Sequence, residues 1–250
     1  MHISKHLTIA VLILTSALPV AAQSEGGLVM SAEVEKKIDK NFSVSLEAGM
    51  RTRNDFKTMD RWTLDLGASY KITKWLKADA GYVLIDQNFH EKINYKSSGA
   101  YDTWRPSYWG LKHRLYASLT GTVKLGHNFK LALRERWQYT YRPEKTTTRW
   151  DFDDEAWEDK VRGSKAKNVL RSRLEISYDK KKAIFSPFAN VELYNGWGIE
   201  KVRYTIGTDI QITKQHSLTT FYRFSDLRNL SPEDYDTDMH YLGVGYKFKF

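Results

Sequence analysis

From residue 28 to its end, the chain is a series of segments in which apolar and polar side chains alternate. The last segment shows the pattern clearly: Leu242, Val244 and Tyr246 share one phase, and Gly243 and Gly245 share the other. A period of two puts successive side chains on opposite faces of a β-strand. The segments are roughly nine to thirteen residues long, about the length that a tilted strand needs to cross a bilayer. The sequence therefore predicts an all-β fold whose strands have two different faces.

The connections between these segments narrow the fold further. Short turns at 39–41, 73–75 and 126–128 alternate with mostly longer polar loops, such as 87–109 and 142–164. Transmembrane up-and-down barrels have this alternation, with short periplasmic turns and longer external loops. A closed barrel also leaves no backbone hydrogen-bonding group unpaired in lipid. We therefore expect an up-and-down antiparallel transmembrane β-barrel of ten to twelve strands.

The composition is compatible with this fold and argues against others. Of the 250 residues 41% are hydrophobic, and no stretch after the N-terminus approaches the ~18 consecutive apolar residues of a spanning helix. A barrel hides its hydrophobicity in alternation, and the 15 Tyr and 8 Trp suit girdles at the membrane interfaces. The net charge of +9 comes from Lys and Arg that are scattered along the segments rather than grouped, which argues against nucleic acid as a partner.

The N-terminal residues 1–22 have the three parts of a cleaved secretory signal peptide. Lys5 supplies the positive charge, Leu7 to Leu18 form the apolar run, and Val20 to Ala22 provide small residues before the cleavage point. No Cys follows the apolar run, so a lipid anchor is not expected. The mature protein is then one barrel domain, 23–250, in the outer membrane of a Gram-negative bacterium, with outer-membrane lipid and lipopolysaccharide as its surroundings.

Two details conflict with a regular barrel. Eleven alternating segments can be distinguished, whereas single-chain bacterial barrels normally have an even number of strands. Either a further strand is hidden in a long loop, giving twelve, or 28–38 is not a wall strand, giving ten. The spacing of Glu33 and Lys37 would also suit a short helix. The second conflict is Glu135, which falls on the lipid-facing phase, and a bulge or register shift is expected to turn it away.

The final strand resembles the last strand of bacterial outer-membrane barrels, which ends on Phe or Trp and is recognised by the assembly machinery. The residues that carry this resemblance are Gly245, Tyr246, Phe248 and Phe250. The resemblance implies that these residues form an assembly signal and that the outer-membrane assembly machinery is a partner.

Several short strings extend the resemblance over nearly the whole mature chain. They are Leu-Lys-His-Arg-Leu-Tyr at 111–116, Arg-Glu-Arg-Trp-Gln-Tyr at 134–139, Ser-Pro-Phe at 186–188, Arg-Tyr-Thr-Ile-Gly at 203–207 and the terminal Gly-Tyr-Lys-Phe. In this order they resemble an outer-membrane family, common in Bacteroidetes-type bacteria, that is catalogued as domain of unknown function 2490. The resemblance implies a barrel fold and an outer-membrane location, and it brings no activity or catalytic residues.

The polar phase of the strands faces the lumen of such a barrel and is rich in arginine. The predicted basic lining consists of Arg51, Arg53, Arg114, Arg134, Arg136, Arg171, Arg173, Arg203 and Arg223. Rings of basic side chains favour anions in selective channels. Narrow barrels can instead fill their lumen with paired side chains. Two hypotheses follow: a passive pore for small anionic solutes, or a closed structural or surface-binding barrel with a salt-bridged lumen.

An enzyme that modifies outer-membrane lipids is the remaining hypothesis, and the sequence gives it little support. Such enzymes need a nucleophile and a base held together. His113 and His240 fall on the lipid-facing phase, and no His accompanies a Ser in an inward arrangement. Acidic residues cluster at 151–159 and alternate at 234–238, but the latter run lacks the Gly and Glu of a calcium loop. We therefore expect no enzymatic activity, no cofactor and no metal, and solvated acidic loops.

Overall fold

The computed structural model describes residues 24–180, 183–228 and 237–250. The predicted signal peptide at 1–22 lies outside these residues, as do Asp234 and Asp236 of the last acidic run. No helix in the described part of the chain is long and apolar enough to cross a membrane.

The described residues form fifteen strands, which follow the alternating segments of the sequence and continue into the loops. In chain order they are β1 (Ser24–Lys37), β2 (Phe42–Arg53), β3 (Thr58–Lys71), β4 (Leu76–Phe89), β5 (Lys92–Tyr95), β6 (Tyr101–Arg105), β7 (Tyr108–Lys124), β8 (Phe129–Arg142), β9 (Lys145–Asp151), β10 (Ala156–Arg162), β11 (Lys165–Tyr178), β12 (Phe185–Asn195), β13 (Ile199–Gln211), β14 (His216–Leu227) and β15 (Asp238–Lys249). Eleven of them close into a barrel in the order β1-β15-β14-β13-β12-β11-β8-β7-β4-β3-β2. The predicted all-β barrel is confirmed.

The two longest connections are not irregular loops, as the sequence had suggested. Their strands pair in the order β10-β9-β6-β5 and form a separate four-stranded sheet, which we call the loop sheet. Trp150 of β9 is paired in register with both Trp157 of β10 and Trp104 of β6, and these pairings join the two hairpins. The strands of one hairpin have only four and five residues, too few for the alternating pattern to stand out in the sequence.

The barrel closes through a parallel pairing of β1 with β15, in register from Ser24 opposite Asp238 to Glu35 opposite Lys249. An odd number of strands whose directions alternate leaves the first and last strands pointing the same way, so this seam must be parallel. The eleven strands lie within the expected range of ten to twelve, but neither of the two even-numbered arrangements is found. The segment 28–38 is not a helix, because β1 is a wall strand paired on both sides.

The ends of the barrel differ. We call the end with the tight turns at 38–41, 72–75, 125–128 and 212–215 the short-turn rim. The other end, where the connections from β4 to β7 and from β8 to β11 lie, is the long-loop rim. Asp39 shows how the tight connections are built: its carboxylate accepts hydrogen bonds from the backbone amides of Asn41 (2.6 Å) and Phe42 (2.7 Å). These two bonds favour the ionised form and lower the pKa of Asp39. The long-loop rim carries the loop sheet.

The outer surface of the barrel is an apolar band between aromatic side chains. Exposed residues in the middle of the strands include Leu46, Leu66, Leu115, Leu133, Leu174 and Ile206. Exposed aromatic residues near the short-turn rim are Tyr70, Trp75, Phe129, Phe185, Tyr246 and Phe250, and towards the long-loop rim Trp62, Tyr141 and Tyr204. A wide apolar surface of this kind is unfavourable in water and is the outer surface expected of a membrane-spanning barrel.

The inner face contains aromatic rings that lie flat against glycines of the wall. A Cβ added to Gly81 would lie 2.5 Å from the hydroxyl oxygen of Tyr116, and one added to Gly243 would lie 2.0 Å from the ring of Phe221. Only glycine allows these rings to approach the backbone so closely. Ile85 is completely buried nearby in the same interior. The lumen is thus narrowed by rings on its wall, and it holds the most buried side chains of the protein.

Glu135 stays on the outer face, contrary to the expected bulge. Its neighbours on that face of β8, Leu133 and Trp137, are both exposed, and the pairings of β8 with β7 and β11 show no register shift. Its carboxylate instead accepts a hydrogen bond of 2.6 Å from the hydroxyl of Ser172 on β11. A polar partner on the neighbouring strand, rather than a change of register, accommodates this side chain.

Candidate functional site

The inner face of four neighbouring strands carries most of the arginines that the sequence assigned to the lumen. Arg134 of β8 lies opposite Arg173 of β11, and Arg136 of β8 lies opposite Arg171 of β11. The next pairing places Arg173 opposite Glu192 of β12, and the one after that places Glu192 opposite Arg203 of β13. The period-two pattern thus aligns guanidinium groups from strands that are far apart in sequence.

Glu192 is the centre of this basic wall. Its carboxylate is paired with Arg134, with Arg171 at 2.8 Å and with Arg203 at 3.6 Å, a set that we call the Glu192 cluster. The hydroxyl of Tyr194 donates a further hydrogen bond of 3.0 Å to the same carboxylate. Glu192 is only 3% exposed, so its charge is withdrawn from water and depends on these partners. One carboxylate is shared by three guanidinium groups, and the cluster keeps an excess of positive charge.

Aromatic rings of the wall hold these and other cations in place. The ring centroid of Tyr194 lies 4.5 Å from the guanidinium carbon of Arg171, 4.9 Å from that of Arg203 and 4.1 Å from the ammonium nitrogen of Lys201. The other rings that carry an arginine are Tyr116 with Arg136 at 4.2 Å, Phe221 with Arg223 at 4.4 Å and Tyr241 with Arg51 at 5.2 Å. Cation–π contacts within about 6 Å are attractive and leave the N–H groups available for hydrogen bonds.

Another buried carboxylate holds a second group of cations near the long-loop rim. Asp60 is 3% exposed and pairs with Arg51 at 2.5 Å and with Arg61 at 2.8 Å. Arg53 lies at the same end and donates to the side-chain oxygen of Asn88 at 3.3 Å. Here too a single carboxylate serves two guanidinium groups.

The remaining predicted arginines have neutral or single partners. Arg114 donates from Nε to the hydroxyl of Thr140 at 3.0 Å, and Arg173 lies 3.6 Å from Glu175. The structure therefore places all nine predicted side chains on the inner face, in two buried clusters and their surroundings.

The opposite wall of the lumen is acidic. Glu33 of β1, Glu47 of β2 and Asp65 of β3 lie side by side in register. Lys247 of β15 donates to Glu33 at 2.8 Å, and the hydroxyl of Tyr116 donates to Asp65 at 3.1 Å. In the closed strand order β2 and β11 are five strands apart in one direction and six in the other. The acidic row and the Glu192 cluster thus belong to opposite sides of the barrel, and a solute inside would experience a field across the lumen.

The predicted basic lining did not include several residues of this site, among them Arg61, Lys201 and Tyr194. Arg61 and Lys201 lie on the inward phase of β3 and β13, close to the first residues of these strands. Continuing the alternation to the start of each strand would have found both. Tyr194 lies on the inward phase two residues after Glu192, and its role depends on cations from two other strands.

The predicted assembly signal lies at the seam and the short-turn rim. The backbone amide of Phe250 donates to the carbonyl of Glu35, and its own carbonyl accepts from the amide of Lys37, both at 3.0 Å. On the outer face, the rings of Phe248 and Phe250 stack at 5.6 Å, and the hydroxyl of Tyr246 is 2.6 Å from Nδ1 of His216. The last residues are thus integrated into the barrel on both sides, although recognition by an assembly machinery remains a prediction.

Three histidines on the outer face pair with tyrosine hydroxyls. Tyr82 lies 2.6 Å from Nδ1 of His113, and Tyr222 lies 2.6 Å from Nδ1 of His240, as Tyr246 does from His216. Each hydrogen bond joins two polar groups of the outer face to each other.

The acidic cluster of the second long loop lies at the tip of the loop sheet. Asp151, Asp154 and Glu158 have carboxylate oxygens within 4.8 Å of one another. Two cations offset part of the charge of this acidic tip: Arg149 pairs with Glu158 at 2.8 Å, and Lys96 pairs with the neighbouring Asp153. The hydrogen bonds to these carboxylates raise the pKa of both Arg149 and Lys96. The tip keeps an excess of negative charge.

The closed barrel, its apolar outer band and its charged lumen together define a transmembrane β-barrel. The chain belongs to the family described as protein of unknown function (DUF2490), whose model matches residues 27–236. Among solved structures, the chain is similar to the β-domain of the Bordetella autotransporter Brka, with 14% identity, a TM-score of 0.50 and coverage of 86% of each chain. It is also similar to the NanC porin, with 13% identity, a TM-score of 0.47 and coverage of 90% of this chain and 98% of that one. A search of curated proteins gives no match.

Proposed function

We propose that this protein is an outer-membrane barrel of a Gram-negative bacterium whose lumen passes small anionic solutes passively. The apolar band and the aromatic residues at both rims support the membrane location, where lipid and lipopolysaccharide would surround the barrel. Insertion by the outer-membrane assembly machinery is part of the same proposal, since β15 at the seam carries Tyr246 and Phe248, and Phe250 follows directly after it.

The excess of guanidinium groups around Glu192 carries the proposal for anions. Arg134, Arg171 and Arg203 share that single carboxylate, and Arg223 lies close by over the ring of Phe221. An uncompensated positive potential in a confined, partly dehydrated lumen attracts anions and repels cations. The aromatic contacts hold the arginines against the wall, so that they line the lumen with little loss of side-chain freedom when an anion passes.

Conductance of the purified protein in planar bilayers tests the proposal directly. Under a KCl gradient we expect ion-conducting steps with a reversal potential that shows preference for chloride. Arg134→Gln combined with Arg203→Gln should shift that potential towards cations, because it removes two of the three guanidinium groups while Glu192 keeps its charge. Arg149→Gln is the matched control, because this arginine lies in the loop sheet and is paired with Glu158. A silent bilayer, or cation preference of the unmodified protein, would refute the proposal.

A closed structural or surface-binding barrel is the second candidate, and buried side chains in the lumen favour it. Ile85 is completely buried, Tyr241 is 3% exposed and Tyr194 is 7% exposed. Barrels of moderate size can fill their interior with side chains in this way. This candidate predicts no conductance at any voltage, so the bilayer experiment also decides between the two.

Neither candidate includes a catalytic step. The outer-face pairing of His113, His216 and His240 with tyrosines supports this part of the proposal, because it keeps these potential bases away from the lumen. Hydrolysis of a phospholipid by the purified, refolded protein would contradict it.

A further inference from the structure

A further group of cations, distinct from those around Glu192 and Asp60, lies outside the lumen, where the loop sheet joins the barrel at the long-loop rim. We call it the mouth cluster, and it consists of Arg105, Arg142, Lys145 and Arg162. Arg105 ends β6, Arg142 ends β8, and Lys145 and Arg162 are the first residue of β9 and the last residue of β10. A cavity of about 170 Å³ opens between these elements and is lined by Phe89, Tyr108, Arg142, Glu144, Lys145 and Arg162.

Within the described part of the chain, the charges of the mouth cluster are not neutralised by ion pairs. Arg105 donates to the backbone carbonyl of His90 at 2.5 Å, and Arg142 donates to that of Gly163 at 2.9 Å. The other two have neutral acceptors as well: Lys145 donates to the carbonyl of Trp109 at 2.5 Å, and Arg162 donates to the hydroxyl of Thr147 at 3.2 Å. Among the described residues, no carboxylate lies within ion-pair distance of the four. This contrasts with the loop-sheet tip and with the lumen, where each buried carboxylate holds several cations.

Two stacked rings form the floor under these cations. Phe89 and Tyr108 stack with their centroids 4.9 Å apart. The guanidinium carbons of Arg105 and Arg162 lie 5.1 Å and 5.7 Å from the centroid of Tyr108, and that of Arg142 lies 5.9 Å from the centroid of Phe89. The rings thus hold three guanidinium groups close together despite their mutual repulsion.

Arg105 shows the excess of positive charge most clearly. Its Nε is buried and has no hydrogen-bond partner among the described residues. Burial and then the neighbouring charge of Arg162 lower the pKa of Arg105, and the charge of Arg142 acts in the same direction. Arg105 does not line the cavity itself, but it lies over the ring of Tyr108, which does, and its charge adds to the positive potential there.

We propose that the mouth cluster is a binding site for a phosphate-type oxyanion. Arginine offers planar pairs of N–H donors that match phosphate oxygens. Two guanidinium groups and one ammonium group line the cavity, and the guanidinium group of Arg105 lies beside it. The cavity volume corresponds to roughly six water molecules at about 30 Å³ each, which is enough for one phosphate group and bound water. The phosphate group can belong to a free solute or to a lipid headgroup.

Glu144 is the one carboxylate in the lining of the cavity, and it is exposed. It lies between Arg142 and Lys145 in sequence, where it opposes the binding of an anion. This arrangement provides a substitution that should strengthen binding rather than abolish it.

The site is independent of passage through the lumen, because binding at the mouth requires no open pore. Calorimetric titration with inorganic phosphate tests it, using the full-length mature barrel in phosphatidylcholine nanodiscs. We expect saturable binding that weakens as ionic strength rises. Arg162→Gln should weaken binding on the order of tenfold, as expected for the loss of a hydrogen bond to a charged group. Arg105→Gln should also weaken binding, because it removes a positive charge beside the cavity. Glu144→Gln should tighten binding, and Arg149→Gln should leave it unchanged.

A second titration uses nanodiscs that contain lipopolysaccharide and distinguishes the two sources of phosphate. Binding of inorganic phosphate in phosphatidylcholine nanodiscs supports a free solute as ligand. If only lipopolysaccharide binds, with the same dependence on Arg105 and Arg162, the ligand is a headgroup phosphate. The proposal is overturned if neither ligand binds, or if Arg149→Gln weakens binding as much as Arg105→Gln does. Resistance of the folded variants to SDS at room temperature shows that each barrel is intact before it is titrated.

Discussion

Replacement of Glu192 by Gln gives the sharpest test of how the lumen is stabilised. The substitution keeps the shape of the side chain but removes the charge that Arg134 and Arg171 contact directly and Arg203 more distantly. Glu192 is 3% exposed, so water cannot reach the site to solvate the arginines that lose their carboxylate partner. Removing one partner of a buried ion pair costs about 3–5 kcal/mol, mostly because the remaining charges stay buried without compensation. We expect Glu192→Gln to lower the free energy of unfolding by about this amount.

Equilibrium unfolding of the refolded barrel in urea, followed by tryptophan fluorescence, measures this loss. The matched control is Glu175→Gln, because Glu175 is more exposed and its one arginine partner among the described residues, Arg173, lies 3.6 Å away. Glu175→Gln should lower the free energy of unfolding by less than about 1 kcal/mol, as for ion pairs that water can reach. Adding Arg171→Gln to Glu192→Gln should recover part of the stability, since it removes one of the uncompensated cations. Equal losses for the two glutamate variants, or no recovery in the double variant, would refute the account of Glu192 as the centre of the cluster.

Three further predictions concern the wall, a turn and the terminus. Gly243→Val should destabilise the barrel by about 1–3 kcal/mol in the same unfolding assay, because the added side chain meets the ring of Phe221, whereas Gly121→Ala, with open space around it, should cost little. The pKa of Asp39 is lowered in the folded protein, so its carboxylate stabilises the turn at pH values above the ordinary pKa of 3.8. This contribution is lost as the pH falls through the pKa of Asp39 in the folded state. The free energy of unfolding of Asp39→Ala should therefore converge with that of the unmodified protein only at acidic pH. Deletion of Phe250 should strongly reduce the amount of heat-modifiable barrel in the outer membrane. The variant Phe250→Ala keeps the seam hydrogen bonds of the backbone, so it separates the role of the ring from that of the backbone. Normal assembly of both variants would argue against a recognition role.

Local rules were sufficient to predict the wall of the barrel and the orientation of most side chains. The period of two assigned Arg134, Arg171 and Arg203 to the lumen because neighbouring residues on a strand must face opposite ways. The same rule placed Glu135 on the outer face correctly, but the bulge or register shift that was expected to turn it away is absent from the described pairings of β8. The hydroxyl of Ser172 on the next strand donates a hydrogen bond to its carboxylate instead.

The features that escaped prediction depend on contacts between segments that are distant in sequence. Glu192 on its strand is an ordinary inward-facing acid, and it becomes a centre only because pairing brings arginines from β8, β11 and β13 around it. The loop sheet is a similar case, since its shortest strand has four residues and is ordered by pairing with its neighbours. Residue pattern alone cannot distinguish such a strand from a loop.

Closure of the barrel is the clearest example of a global property that no segment encodes by itself. The pattern of 28–38 is that of a wall strand, but an expected even number of strands argued against it. The structure satisfies both edges of this strand by letting β1 run parallel to β15, and Lys247 then pairs with Glu33 at 2.8 Å and with Glu35 at 2.5 Å across the seam. Pairing of the backbone on both edges of β1 therefore outweighs the preference for an even number of strands, because an unpaired edge in lipid would cost several kcal/mol for each exposed hydrogen-bonding group. The seam lies beside the acidic row, so the charge pattern of the lumen depends on this parallel closure.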